Sequence, residues 1–368
     1  MSQPYLIRDV LEGLPEVIGT PLPPPPYTGP AVDQRPRVGM AVESMRRHMT
    51  DEGWQIFAGL EHAGYTLTGH NLMTRLNNGH VACDVKNVSD ILHQLTPGTV
   101  VVQDKREWDL ARRDFRDPNA VFHNVGMLRS RHDVFKLTIL KDAQQRPAYH
   151  AESAAEMGVH AWIVYYHPSL IARLAPYTRT AHLVRTYHTV DPDAVPAYQA
   201  EGRSGCLLSG AVSSAYPLRQ RLVRALAGMP EVACKPHPGY HRKGCETPQF
   251  LQILSRYKAA VCTASRYGYA LRKIIEATAC GCAVVTDLPA DEVLPEIDGN
   301  LVRVHNGATA AQVYEVVRRA IDGYDPSSQE RYAQAAKAWY DYRIMSTRLA
   351  DNIEHLRMNC SQAKIMAV

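Results

Sequence analysis

Glu276 is embedded in the small and apolar run Lys273-Ile274-Ile275-Glu276-Ala277-Thr278-Ala279-Cys280-Gly281-Cys282-Ala283-Val284-Val285-Thr286. The run predicts a short helix that opens near Tyr269, presents Glu276 about two turns in, ends at Gly281 and feeds directly into a buried strand. At the carboxyl edge of an open parallel sheet, the N-terminus of such a helix offers backbone N–H groups and the positive end of its dipole to a phosphate. A carboxylate farther along is then placed to accept hydrogen bonds from ribose hydroxyls. Taken alone, a glutamate on a helix also reads as a solvated face.

Other residues with suitable chemistry follow predicted strands. The loop Ser209-Gly210-Ala211-Val212-Ser213-Ser214-Ala215-Tyr216-Pro217-Leu218-Arg219 has small residues that let backbone approach a ligand at Gly210, and Arg219 can grip a diphosphate with its planar donor fork. A plain strand-to-helix turn has the same composition. In Lys235-Pro236-His237-Pro238 the prolines favour an extended turn, so Lys235 and His237 are held rigidly where a phosphate can meet them. A solvent-exposed turn explains that string as well. Gly268 and Tyr269, on the approach to the Glu276 helix, can give backbone N–H groups to phosphate. The stretch Val100-Val101-Val102-Gln103-Asp104-Lys105-Arg106-Glu107-Trp108-Asp109 ends an apolar strand in charges. A carboxylate there can take the proton from an attacking hydroxyl, with Asp104 the first candidate and then Asp109 and Glu107. His48 and His70 are further candidates among sixteen histidines.

The elements that must position these residues alternate between apolar strands and helices, which implies doubly wound parallel sheets. Strands are expected at 37–42, 81–85, 99–102, 160–166 and 180–184, with helices over 44–64 and 88–95. A second series runs strand 205–210, helix 218–226, strand 232–235, helix 250–257, strand 259–263, the Glu276 helix and its strand, helix 310–321 and a long helix over 329–356. The domain reading is an extended Pro-rich arm over 1–35, a first domain over 36–200, a second over 201–335 and a closing helix and tail over 336–368. The polar stretch 191–204 is read as the linker.

A chain of 368 residues with 45% hydrophobic content has material for two cores. No stretch approaches the roughly 20 apolar residues of a membrane span, and the first ten residues carry charge where a signal peptide needs an apolar core. A cytoplasmic protein without a transmembrane segment is the expectation. The eight cysteines form no Cys-x-x-Cys pair, so buried reduced thiols are expected and no metal site. Basic and acidic residues nearly balance up to residue 200, and the net charge of +4 arises after it. An acidic partner is therefore expected for the second domain.

The run around Glu276 closely resembles the Glu-Ala-x-Ala-Cys-Gly-x-x-Val-Val signature of nucleotide-sugar glycosyltransferases, and Asp287-Leu288-Pro289 and Leu294-Pro295-Glu296-Ile297-Asp298-Gly299-Asn300 follow at that family's spacing. The resemblance implies two facing Rossmann-like domains, the GT-B architecture, with a C-terminal helix crossing back to the first domain through contacts of Trp339, Tyr342, Ile344 and Leu349. It implies a metal-independent hexosyltransferase that takes a UDP-sugar as donor, holds its ribose through Glu276 and passes the sugar to an acceptor hydroxyl, with Gly210, Arg219, Lys235, His237, Gly268 and Tyr269 the further donor-binding candidates. One departure stands out. Retaining members carry a second glutamate eight positions before the first, and here that position is Gly268, which leaves stereochemistry open. The acceptor is open too. A DNA glycosyltransferase acting on hydroxymethylated pyrimidine bases is one alternative, with DNA as partner through clusters such as Arg46-Arg47-His48. A non-catalytic sugar-nucleotide-binding protein is another.

Overall fold

The computed structural model describes residues 37–39, 52–68, 73–75, 81–83, 95–104, 130–140, 158–167, 182–236 and 247–362. The chain divides into two compact units. One is built on Val10–Arg46, Thr50–Thr186 and Met345–Val368, the other chiefly on Tyr187–Ile344.

The first unit holds a six-stranded parallel sheet. Its strands are β1 (Arg37–Gly39), β2 (Thr66–Thr68), β5 (Val100–Asp104), β6 (Phe135–Leu140), β7 (Ala161–Val164) and β8 (His182–Arg185), in the order β2-β1-β5-β6-β7-β8. Val100, Val101 and Val102 are all buried, so both faces of β5 are covered, as a parallel sheet requires. Helix α1 (Glu52–His62) buries Ile56, Phe57 and Leu60. It ends as expected at Gly64, whose φ of 95° allows the Tyr65 and Gly64 amides to return to the carbonyls of Leu60 and Glu61. The segment expected to extend the sheet at 81–85 does not join it. Val81–Cys83 forms β4, which pairs antiparallel with β3 (Met73–Arg75) as a separate ribbon. β6 was not anticipated, because Lys136 and Thr138 interrupt its apolar run.

The second unit holds five parallel strands, β9 (Cys206–Gly210), β10 (Val232–Pro236), β11 (Ala259–Val261), β12 (Ala283–Thr286) and β13 (Leu301–Arg303), in the order β10-β9-β11-β12-β13. Alternate residues of β9 point to opposite faces. Leu207 enters a core with Phe250, Leu251, Ile274, Ile275 and Val284, while Cys206 and Leu208 enter one with Leu218, Leu222, Val313 and Val317. The first core is roofed by α3 (Thr247–Leu254) and α4 (Arg272–Ala279), the second by α2 (Pro217–Ala225) and α5 (Ala310–Asp322). Each fully buried aliphatic side chain there stabilises the unit by about 1.5–3 kcal/mol.

Helix α4 carries Glu276, and it starts at Arg272 rather than near Tyr269, because Leu271 is still extended. Its far end is closed by Gly281, whose φ of 79° lets the Cys282 and Gly281 amides reach the carbonyls of Ala277 and Thr278. Arg203 then donates to the carbonyl oxygens of Cys280 at 2.7 Å, Gly281 at 3.4 Å and Tyr257 at 3.0 Å, a cation at the negative end of the helix dipole. Asn300 Nδ2 donates to Thr278 Oγ1 at 3.0 Å and to the Cys282 carbonyl at 2.9 Å, which ties the start of β13 to both α4 and β12.

Residues 191–204, read from sequence as a linker, pack with the second unit, where Val190 and Val195 enter its core. The long helix expected over 329–356 is two helices, α6 (Pro326–Trp339) and α7 (Tyr342–Gln362). Backbone competition breaks it. The Val190 amide bonds the Tyr340 carbonyl at 2.9 Å, and the Tyr342 amide bonds the Val190 carbonyl at 3.2 Å. The Asp341 carboxylate receives the Arg343 amide at 2.8 Å. Trp339 packs on Tyr187 and Tyr340 within the second unit, and Ile344 is exposed. Leu349 is buried and Glu354 accepts from Tyr65 Oη at 2.5 Å, both within the unit that holds the six-stranded sheet. Among the described residues, no helix is long and apolar enough to cross a membrane.

A Cβ on Gly281 would lie 2.5 Å from the Tyr198 ring in addition to its strained φ, whereas one on Gly202, with φ 75°, meets nothing within 4 Å. Gly281→Ala therefore lowers the denaturant midpoint of the second unit by more than Gly202→Ala, which carries only a backbone cost of about 1 kcal/mol. Equal losses in urea titrations of the two variants refute the close packing of Tyr198 on this turn.

Candidate functional site

The strand order of the second unit reverses direction at β9. The chain goes first to β10 on one side and then crosses to β11 on the other, and this reversal opens a crevice at the carboxyl ends of β9 and β11. The loops that leave these two strands form its walls.

Arg219 fills the crevice. It is the third residue of α2, 2% exposed, and its guanidinium donates through Nη1 to the Ala211 carbonyl at 3.1 Å and through Nη2 to the Thr263 carbonyl at 3.3 Å. One side chain thus joins the loop after β9 to the loop after β11. The Tyr216 ring lies 4.3 Å below the guanidinium carbon. Gly210 permits this placement twice over. Its φ of 139° lies outside the range side chains favour, and a Cβ there would collide with Arg219 Nη1.

The 262–271 loop runs from β11 to α4 along this edge. Gly268, at φ 65°, donates its amide to the Ser265 carbonyl at 2.9 Å, and Tyr267, Tyr269 and Ala270 are buried. Asp287, at the end of β12, accepts the Ala264 amide at 2.6 Å and so fixes the start of the loop. Burial pushes the Asp287 carboxyl up, against the Ala264 amide and Arg219, which both favour its charged form.

In the first turns of α4, Arg272 Nε and Glu276 Oε1 form an ion pair at 2.9 Å, each side chain 7% exposed. Burial lowers the Arg272 pKa and the Glu276 carboxylate opposes that shift. This i,i+4 pair is the main site feature absent from the sequence reading, although the charge spacing was visible. Asp287 and Lys273 also escaped it.

Lys235 lies at the end of β10, in register with Ser209, while Pro236 is in register with Gly210. Its side chain is exposed. The fold therefore assembles Gly210, Arg219, Lys235, Gly268, Tyr269 and Glu276 on the carboxyl side of one sheet. Asp104 ends β5 in the other unit, beside the equivalent reversal between β1 and β5. His48, His70, Glu107, Asp109 and His237 lie outside the described residues.

No protein-family model matches the sequence, and no curated protein sequence matches it. Among solved structures the chain is similar to sucrose-phosphate synthase from Thermosynechococcus elongatus, with 12% identity, a TM-score of 0.58, and 88% of this chain and 99% of that one covered. It is also similar to Anabaena HepE in complex with UDP-glucose, with 12% identity, a TM-score of 0.55, and coverage of 87% and 99%. These likenesses establish the fold, two Rossmann-like parallel-sheet units of the GT-B kind.

Removing one member of a buried ion pair strands the other charge at a cost of about 3–5 kcal/mol, whereas replacing both with apolar groups is near neutral. Arg272→Met and Glu276→Leu are each expected to destabilise the second unit by that amount, and the double variant by much less. Additive losses in a double-mutant cycle of unfolding free energies contradict a coupled buried pair.

Proposed function

We propose that this protein is a glycosyltransferase that moves a hexosyl group from a nucleoside diphosphate sugar, with UDP as the nucleotide, to an acceptor hydroxyl. The observation that carries the reading is the Arg219 guanidinium held at the strand-order reversal beside the α4 N-terminus, with Glu276 farther along the same helix. A diphosphate carries more negative charge than one helix dipole balances, and Arg219 with Lys235 supplies cations at the same edge. Gly268 and Tyr269 bring backbone to the phosphate, and Gly210 leaves room for the Arg219 guanidinium. Glu276 accepts hydrogen bonds from the ribose, while Arg272 fixes the carboxylate for that task.

In this reading the departing diphosphate gains charge as the glycosidic bond breaks, and the preorganised cations stabilise that charge without reorganising. No metal is needed for this step, so chelator leaves the rate unchanged. Asp104 is the base that takes the acceptor proton. The fold of the HepE structure supports the donor class, because that protein was solved with UDP-glucose. Transfer to an acceptor distinguishes the enzyme from a sugar-nucleotide-binding protein of the same fold, and salt-dependent retention on duplex DNA tests a nucleic-acid acceptor.

Glu276→Gln keeps the shape of the Arg272 partner and is expected to weaken UDP-glucose binding by about 1.5–3 kcal/mol, the range for a hydrogen bond to a charged group. Unchanged calorimetric affinity removes Glu276 from the donor site. Arg219→Met is expected to weaken UDP more than uridine, and equal losses show that the guanidinium meets no phosphate. Asp104→Asn is expected to keep donor affinity while transfer falls about 100-fold or more. Near-normal transfer by that variant excludes Asp104 as the base.

A further inference from the structure

Helix α4 carries a cation that none of the roles above uses. Lys273 is the residue after Arg272, and its Nζ is sealed from solvent with no hydrogen-bond partner among the described residues. The ammonium lies 4.7 Å from the centre of the Phe250 ring of α3. A ring face returns only part of what an ammonium loses on leaving water.

Among the described residues no carboxylate forms an ion pair with it. Burial acts most strongly on Lys273 and, with Arg219, pushes its pKa down to about 8, against Glu276 and Cys262. The Cys262 thiol is itself pushed up to about 12 by burial and is neutral. Glu276 is already paired with Arg272. Asp287 acts on Arg219 and is not among the groups that act on Lys273. Among the described residues, Glu276 is the carboxylate that acts on Lys273, and its ion pair is with Arg272. A buried ammonium so placed is costly to the empty protein, and the cost is relieved by an anion that arrives from outside.

We propose that Lys273 is a further ligand-binding residue, whose charge is balanced by the phosphates of the bound donor. The proposal rests on the donor reading above and adds a cation of α4 that acts electrostatically on the same site as Arg219. It also fixes a pH dependence. In the empty protein the amine titrates below its ordinary value, so its destabilising effect is full below about pH 8 and fades as pH rises toward 10.5. A bound anion holds the proton on, so binding takes up a proton above pH 8 and weakens there. Of the groups facing Lys273, Arg219 and Arg272 on α2 and α4 stay charged, Cys262 stays neutral, Phe250 on α3 does not titrate, and Glu276 stays paired.

The test compares wild type, Lys273→Met and Lys273→Arg, with thermal unfolding of the empty proteins and calorimetric titration by UDP, uridine and pyrophosphate at pH 7 and pH 9. Lys273→Met is expected to melt no lower than wild type, to bind UDP and pyrophosphate at least 10-fold more weakly, and to keep its uridine affinity. Wild-type affinity for UDP is expected to drop several-fold between pH 7 and pH 9, and that of Lys273→Arg to stay constant, because a guanidinium keeps its proton. UDP binding by Lys273→Met equal to wild type overturns the assignment and leaves the donor reading intact. A lower melting temperature with unchanged UDP affinity assigns Lys273 to packing alone and overturns it too. A wild-type protein that binds neither UDP nor pyrophosphate removes both readings together.

Discussion

The parallel pairing of β9 with β10 on one side and β11 on the other is the constraint on which the ligand edge depends. Because the chain leaves β9 toward one neighbour and later returns beside the other, no connection crosses above the gap between β9 and β11. Two loops diverge there and expose their carbonyl oxygens. Arg219 binds one carbonyl from each loop, so the same guanidinium that suits an anionic ligand also stitches the crevice together. Its depth is possible because Gly210 has no side chain to exclude it.

Helix α4 is held from its opposite end. Arg203 collects the terminal carbonyls, Tyr324 Oη donates to the Gly281 carbonyl at 2.9 Å, and Asn300 joins Thr278 to the next strand. Burial pushes Tyr324 up, so its hydroxyl keeps the proton it donates. These neutral and cationic donors satisfy carbonyl groups that would otherwise be left buried without partners. With its C-terminal end fixed, the N-terminal turn bearing Arg272, Lys273 and Glu276 has little freedom, and a charged cluster can be held where solvent does not reach. The cysteines of the run serve the same packing. Cys280 and Cys282 donate weakly to carbonyls of α3 and its exit, and burial pushes the Cys282 thiol up to about 12, which makes it inert.

In the proposed function, stability and ligand binding conflict at this edge. An excess of buried positive charge weakens the empty unit, and an apolar replacement would suit folding better. The surrounding cores meet that cost, since both faces of the five-stranded sheet are covered by helices packed through Ile274, Leu251, Leu222 and Val317. A site of this kind is rigid and charged before its ligand arrives, which is the condition for electrostatic stabilisation without reorganisation.

Much of the second unit was legible in the sequence because its signals are local. Val232 to Lys235 reads as a strand from its own residues, α5 follows a Thr309 capping box, and Gly281 marks the end of α4 through a φ that only glycine adopts easily. Gly210, Arg219 and Glu276 could be chosen as site residues for the same reason, since each sits beside a recognisable strand or helix end. Other features were set by partners distant in sequence. The break at Tyr340 depends on Val190, some 150 residues earlier, whose backbone takes the bonds that a continuous helix would have used. β3 and β4 pair with each other instead of joining the parallel sheet, and no periodicity within either strand says so. The i,i+4 spacing of Arg272 and Glu276 was written in the sequence, but the burial of that pair, and of the Lys273 ammonium against Phe250 of α3, depended on residues distant in sequence. A sequence specifies backbone geometry through short-range sterics and capping, whereas the worth of a charge depends on which distant groups take away its water, and only the tertiary structure decides that.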